Sequence, residues 1–477
     1  MTRPDPDDLE AFVAGLDAAT LSSVLIELAR DVEAVRKRLD RLRLASQPKS
    51  LAAAFKATLI GWRRATHFIG YRDSHAFGGE LEGWLGQIER ELVPRDPEAA
   101  LALVETFIES DAKFFERADD SDGAIGDAMR EACRLWLRAA ALCKPPTQGW
   151  TARLFQLANA DEYGARDELL RSANLLLDEE ALRALVDRFD QELIAGVNAA
   201  ADTGPLPPSL FSASGSLHLL SEALRDPDVH VRAVLRYSPQ PNAMQRQGFA
   251  RAYLDLGRAK DALPWLDGDW GHLESSRQRL QAETLAAMGQ LSDSAKIRRQ
   301  LFDQTTAVSA YRAWIELLPP HSHATAAEHA ARRARASVDP VVAARLLLEI
   351  RDERGAELAL IDHADRINGN DYGQLLPLAE ALEARELLRG ATACYRALLL
   401  AILARAYARA YGHAARYFKK LGEIALRQPD LQPLATHESF EAIVRTKHAR
   451  KVAFWSYVNG KRALPDATAA EDDIDAE

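Results

Sequence analysis

The feature that most restricts how this chain can fold is a pattern that recurs after 32 residues. Ala252-Tyr-Leu-Asp-Leu-Gly-Arg-Ala-Lys-Asp-Ala-Leu263 is answered by Thr284-Leu-Ala-Ala-Met-Gly-Gln-Leu-Ser-Asp-Ser-Ala295, so Gly289 and Asp293 stand 32 residues after Gly257 and Asp261. Each copy reads as the end of one helix, a glycine turn and the start of a second helix. Small side chains at Gly257 and Ala262 let the two helices of such a hairpin approach closely. A helical hairpin cannot bury its apolar face alone, so repeated hairpins stack in a row.

The rest of the chain supports helices. Leu21, Leu25, Leu28, Val32, Val35, Leu39 and Leu42 recur at 4-3 spacing, which predicts one helix with a single apolar stripe. Such a stripe is either the inner face of a packed helix or, through Leu21 to Leu42, a coiled-coil seam for a homodimer. Asp96-Pro97, Asp226-Pro227 and Asp339-Pro340 each place an acceptor at an N-cap and proline at the first helical position, and Asp178-Glu-Glu180 opens a further helix. No period-2 run with hairpin turn signals is evident.

The two repeated segments look like tetratricopeptide hairpins, and Ala391, Tyr395 and Leu398 fit the second helix of a third. The tryptophan usual near the start of the first helix is missing. Asp226-Pro-Asp-Val-His-Val-Arg232 instead resembles a HEAT-repeat signature. The expected fold class is all-α, an α-solenoid of TPR-like and HEAT-like helical hairpins. Breakers at 144–149, 203–216, 238–241 and 319–323 punctuate the chain, and the charge-poor stretch 202–216 is the preferred boundary. The expected organisation is an N-terminal helical domain over 1–201, a linker over 202–216 and a repeat domain over 217–462. A disordered acidic tail over 463–477 completes it.

Composition sets the class of partner. The chain has 477 residues, 47% of them apolar and 27% charged, with three cysteines and a net charge of -10. That is an ordinary globular composition, too poor in cysteine for a disulfide framework, and a reducing cytoplasm is its natural compartment. The longest strongly apolar run, Ala397 to Ala404, is far short of the ~20 residues a membrane span needs. The polar start Met-Thr-Arg-Pro-Asp-Pro is unlike a signal peptide. Charge is uneven: 401–462 carries 12 basic and 4 acidic residues, and 463–477 carries 6 acidic and none basic. Arg416, Lys419, Lys420, Arg445, Lys447, Arg450 and Lys451 are interleaved with Tyr411, Tyr417, Phe418, Phe454, Trp455 and Tyr457 in a basic C-terminal hairpin. Aromatics beside cations suit nucleic acid. The other readings are a solenoid cap with buried rings, docking on the chain's own acidic body, or shielding by the tail.

Candidate chemical sites are few. Asp119, Asp120 and Asp122 crowd before Gly123, with Asp127 behind them. They can hold a hard cation, meet a partner, or cap the next helix, Asp122 being the expected cap, with neighbours facing Arg72 or Arg134. The calcium-loop spacing fails, because Gly123 at position six puts Ala118 at position one. His321, His323 and His329 lie within nine residues but lack a supporting cysteine. Cys133 and Cys143 have neither zinc nor redox spacing and are expected in the core. Phosphate-loop, dinucleotide, zincin and nucleophile-elbow patterns are not met.

Several blocks together resemble the bacterial domain-of-unknown-function family 6880, helical-repeat relatives of some SWIM zinc finger proteins. These blocks are Leu21 to Leu42, His67-Phe-Ile-Gly-Tyr-Arg-Asp-Ser-His-Ala-Phe77, Ala118-Asp-Asp-Ser-Asp-Gly-Ala-Ile-Gly-Asp127, Tyr411-Gly-His-Ala-Ala-Arg-Tyr-Phe-Lys-Lys420 and Lys447-His-Ala-Arg-Lys-Val-Ala-Phe-Trp455. The resemblance implies a helical-repeat fold and leaves the activity open, and the Cys/His cluster of a SWIM finger is lacking here, so no zinc or nucleic-acid role of that finger carries over. With stacked hairpins leaving a concave surface and no enzyme motif met, the expectation is a non-enzymatic, cofactor-free cytoplasmic scaffold for an unidentified protein partner. The alternative is a nucleic-acid-binding repeat protein using the basic hairpin.

Overall fold

The structure is a computed structural model that describes residues 12–43, 48–203 and 207–461. The chain forms two compact units, Met1–Asn242 and Ala243–Glu477. Among the described residues, secondary structure is helical apart from one isolated bridge between Ile69 and Ala118.

Unit 1 contains α1 (Ala18–Asp31), α2 (Glu33–Arg43), α3 (Pro48–Arg64), α4 (Tyr71–Gln87), α5 (Pro97–Ile108) and α6 (Asp111–Phe115). It continues with α7 (Ala124–Ala141), α8 (Gly149–Asn159), α9 (Asp167–Arg171), α10 (Glu179–Thr203), α11 (Pro208–Leu224) and α12 (Pro227–Tyr237). The caps form as their chemistry requires: Asp96 accepts from the Ala99 amide, Asp178 from Ala181 and Asp226 from Asp228. Central α7 buries Ile125, Met129, Cys133 and Trp136 against α4 and α5. Trp84 stacks on Phe107 with ring centroids 5.5 Å apart. A Cβ at Gly78 would overlap Ala124, so only glycine lets α4 pass this close to α7.

A buried ion pair lies within this unit. Arg166 donates from Nε and Nη2 to the two Asp111 oxygens at 2.7 and 2.9 Å and from Nη1 to the Leu157 carbonyl at 3.1 Å. The Arg166 and Asp111 side chains are 6% and 5% exposed. Nearby, Glu168 accepts from Arg134 at 3.0 Å and from Ser172. Burial pushes the Cys133 thiol up, so it packs as a neutral apolar group. Cys143 is only half-buried, not in the core as expected.

The single helix expected over 21–42 is interrupted. Val32 is extended (φ -116°, ψ 105°) and separates α1 from α2. Asp31, Val32 and Glu33 combine weak helix formers with carboxylates at the negative end of α1. None of α1 is buried, and Leu25, Leu28 and Val32 are 41%, 42% and 42% exposed, so this stripe is not an inner face. The Leu42 side chain lies outside the described residues, as does the tail 463–477.

The expected boundary at 202–216 also moves. Residues 208–216 are the start of α11, which packs on α10, and the units divide after Asn242. Arg236 of α12 grips Asp190 of α10 at 2.8 and 2.5 Å, and Tyr237 meets Ser214 at 3.2 Å, which ties 217–242 to unit 1. The rings of His218 of α11 and His230 of α12 meet at a tilt of 56° with centroids 4.4 Å apart, His218 lying 3.6 Å from Glu222. Burial, with His218 adding to it, pushes His230 down to about 4. The unfolded chain takes up this proton near 6.5, the folded one only near 4. Stability present above pH 6.5 is therefore lost as the pH falls toward 4, by about 2 kcal/mol after allowing for partial exposure. Urea unfolding at about pH 7 and about pH 4.5 measures the loss, and His230→Phe should remove it.

Unit 2 contains α13 (Ala243–Asp255), α14 (Ala259–Ala262), α15 (Glu274–Ala287), α16 (Leu291–Thr305), α17 (Val308–Ile315) and α18 (His323–Arg335). It continues with α19 (Pro340–Glu349), α20 (Glu353–Ile361), α21 (Tyr372–Glu383), α22 (Leu388–Arg405), α23 (Tyr411–Arg427), α24 (His437–Lys447) and α25 (Val452–Val458). Each helix packs on the one or two that follow it, the contact order of a solenoid.

One turn recurs through the repeats. Gly257 and Gly289 have φ of 73° and 78°. Arg258 N–H bonds the Tyr253 carbonyl and Gln290 N–H the Leu285 carbonyl, at 2.9 and 2.8 Å. This is the left-handed helix stop, and its next residue is the N-cap of the second helix. The same turn occurs at Arg225, Arg351 and Glu386 (φ 53°, 64° and 59°) without glycine. The Asp226 segment, read from sequence as HEAT-like, thus shares its turn with the TPR-like hairpins. As expected for a second helix, Ala391, Tyr395 and Leu398 of α22 are buried.

Candidate interaction groove

The first helices of successive hairpins in unit 2 carry arginine at one register: Arg246, Arg279, Arg312 and Arg345 follow one another at 33 residues, on α13, α15, α17 and α19. A residue kept at the repeat period falls on the same face of each unit. Arg246 folds back onto the carbonyls of Asp267 and Asp269 at 2.6 and 3.1 Å. The other three line two adjoining recesses of about 350 and 550 Å³. Arg279 of α15, Arg298 and Leu301 of α16 and Ala310 of α17 wall the first. Arg312 and Glu316 of α17, Val342 and Arg345 of α19 and Gln374 of α21 wall the second. Thr305, Ala307, Ser309 and Ala313 belong to both, so the two form one groove.

Its charges are partly compensated. Arg312 grips Glu349 at 2.8 and 2.6 Å and holds that carboxyl below the usual range. Arg298 lies 3.5 Å from Glu283. Arg279 instead reaches the Ser275 carbonyl and the Ser276 hydroxyl at 3.3 and 3.4 Å, and Arg345 donates to the Gln374 amide oxygen. Among the described residues, neither Arg279 nor Arg345 has a carboxylate partner. The groove therefore offers two exposed guanidiniums between walls of small apolar and hydroxyl side chains.

The groove floor is strained. Thr306, the cap between α16 and α17, has φ 54° and is 8% exposed, its N–H bonding the Phe302 carbonyl at 2.7 Å. This left-handed conformation costs a β-branched residue about 1–2 kcal/mol. Thr306→Gly is expected to raise the unfolding free energy by about 0.5–1 kcal/mol once the extra freedom of the unfolded glycine is subtracted, as measured by urea titration.

The residues singled out from sequence lie elsewhere. Asp120 caps α7, accepting from the Ile125 and Gly126 amides at 2.7 and 3.0 Å. Asp122, the expected cap, bonds the Ala124 amide at 3.3 Å and lies 3.7 Å from His75, and Asp119 accepts from Ser121. Arg134 is engaged with Glu131 and Glu168 rather than with this loop. His329 pairs with Asp303 at 2.6 Å and His323 with the Leu318 carbonyl at 3.0 Å, so the histidines do not converge. Among the described residues, no group of three or more metal-ligating side chains comes together.

Most of the C-terminal rings are core. Tyr411, Tyr417, Phe418 and Phe454 are buried, Phe454 packs on Phe418 and Trp455, and Trp455 and Tyr457 are half-buried against the same cluster, so four of the six interleaved aromatics are closed to stacking. Lys420 pairs with Glu383 of α21 at 3.3 Å, Arg445 with Glu441 at 2.6 Å, and Lys451 donates to the Tyr411 hydroxyl at 3.1 Å. Arg416 and Lys419 are half-buried, while Lys447 and Arg450 are exposed. Arg396, stacked 4.4 Å over Phe440, is pushed down to about 10 by burial. The groove arginines were missed from sequence, although their 33-residue spacing was there to be counted.

No helix of the described residues is long and apolar enough to cross a membrane. No curated protein matches the chain. Among solved structures it is similar to one described as a "circular tandem repeat protein with novel repeat topology and enhanced subunit contact surfaces", 14% identical over 93% of this chain and 92% of that one. The TM-score of 0.14 is too low for that likeness to carry anything over. A family profile matches residues 9–457, nearly the whole chain: the protein belongs to DUF6880, a family of unknown function.

Proposed function

We propose that the protein is a non-enzymatic scaffold of the bacterial cytoplasm that holds a protein partner along the groove of unit 2. The observation that supports this reading is the continuity of the groove across α15, α16, α17, α19 and α21. Side chains on the open face of stacked hairpins vary without cost to the core, and a groove of this kind suits an extended segment. Guanidiniums, hydroxyls and small apolar walls hold a chain by charge pairing and fit.

The test is affinity capture by the full chain from its native host, with and without nuclease. It is compared with Ala310→Arg/Ala313→Arg, which fills the groove. A protein captured by the wild type despite nuclease and lost from the variant supports the scaffold. Recovery of nucleic acid alone, lost on charge reversal of exposed Lys447 and Arg450, overturns it in favour of nucleic-acid binding.

A further inference from the structure

We propose that the groove accepts an extended acidic segment, and that residues 463–477 of the chain itself are such a segment, competing with the partner. This rests on reading the groove as a protein-binding site. Arg279 and Arg345 are exposed and lack carboxylate partners among the described residues, while Arg298 and Arg312 are already matched by Glu283 and Glu349. Two exposed guanidiniums without carboxylate partners can receive two carboxylates from outside the described chain. Counting Glu316, Glu283 and Glu349 against the four arginines leaves a net charge of only +1. That surplus is small for a polyphosphate and suited to a few separated carboxylates. The walls at Leu301, Ala310, Ala313 and Val342 add apolar surface, which favours a peptide over a nucleic-acid backbone.

Residues 463–477 carry six carboxylates and no basic group, with Leu464 and Ile474 as apolar anchors. They follow α25 in unit 2, the unit that holds the groove. Fifteen extended residues span about 50 Å. The carboxylates at Asp466, Glu471, Asp472, Asp473, Asp475 and Glu477 are separated by one to eleven residues, so pairs of many spacings are available to the open guanidiniums of Arg279 and Arg345. The exposed cations of the C-terminal hairpin, Lys447 and Arg450, are the competing surface for the tail.

A fluorescent peptide of sequence 463–477, titrated into the full-length chain by anisotropy at low salt, tests this. Neutralising the tail in the full chain (Asp466→Asn, Glu471→Gln, Asp472→Asn, Asp473→Asn, Asp475→Asn, Glu477→Gln) removes an intramolecular competitor. Peptide binding should then tighten by about tenfold or more. Adding Arg279→Glu/Arg345→Glu to that chain should weaken it again by about tenfold, and Lys447→Glu/Arg450→Glu should leave it unchanged. Circular dichroism checks that the variants stay folded. Equal affinity for wild-type and tail-neutralised chains overturns the proposal. So does loss through the Lys447/Arg450 pair with the arginine variant silent. Either failure leaves the scaffold reading standing, because partner capture with the filled-groove variant is read independently.

Discussion

Asp111→Ala should lower the unfolding free energy of unit 1 by about 3–5 kcal/mol, a large share of the stability of an ordinary domain. The reason is not lost attraction alone. Arg166 is buried and donates two hydrogen bonds to the Asp111 carboxylate, and truncating that partner strands a guanidinium in the core. Replacing both partners by apolar residues, Asp111→Leu with Arg166→Met, should recover most of the loss, since an isosteric apolar pair has no charge to desolvate. Urea unfolding followed by tryptophan fluorescence reads both. A loss below about 1 kcal/mol for Asp111→Ala would mean that the pair behaves like an exposed one.

Gly369→Ala should cost about 3 kcal/mol in unit 2. A Cβ at Gly369 would overlap the Ala397 carbonyl of α22 and press on Ala401, so the chain between α20 and α21 lies directly on the backbone of α22. The obstruction is main chain rather than the end of a flexible side chain, and relief requires moving a helix whose neighbours are close-packed. Gly373→Ala, with nothing within 4 Å of the added atom, is the control and should be near neutral. Parallel thermal and urea titrations of the two variants separate the steric effect from a general loss of loop flexibility.

These two sites mark the limit of what could be read along the chain. Asp96, Asp226 and Asp339 announced their helices because a cap is a contact between near neighbours. Gly257 and Gly289 announced their turns because glycine is the residue that reaches the left-handed region at little cost. The same turn at Arg225, Arg351 and Glu386 was silent, because there the backbone bonds from Asp226, Asp352 and Leu387 to the Ser221, Leu347 and Leu382 carbonyls close the helix stop around exposed non-glycine residues, which carry no sequence signal for it. Asp111 and Arg166 are 55 residues apart, and nothing local distinguishes them from solvated charges. At the acidic loop, capping was one of three readings of the sequence; Asp122, the expected cap, reaches only the Ala124 amide, while the Ile125 and Gly126 amides are taken by Asp120, because the loop turns through Gly123 before α7 begins. The aromatic residues of the basic hairpin were visible, yet whether rings face inward depends on α23 and α25 packing together. The groove was hidden for the opposite reason. Its arginines carry a regular spacing, but only stacked helices turn a period into a surface.

Hydrogen exchange of the full chain, alone and with its captured protein partner, tests the central claim most directly. A partner seated in the groove slows exchange in α15, α16, α17 and α19 around Arg279, Leu301 to Ala313 and Arg345, and leaves α24 and α25 unchanged. Protection confined to α24 and α25, or to unit 1, would contradict it.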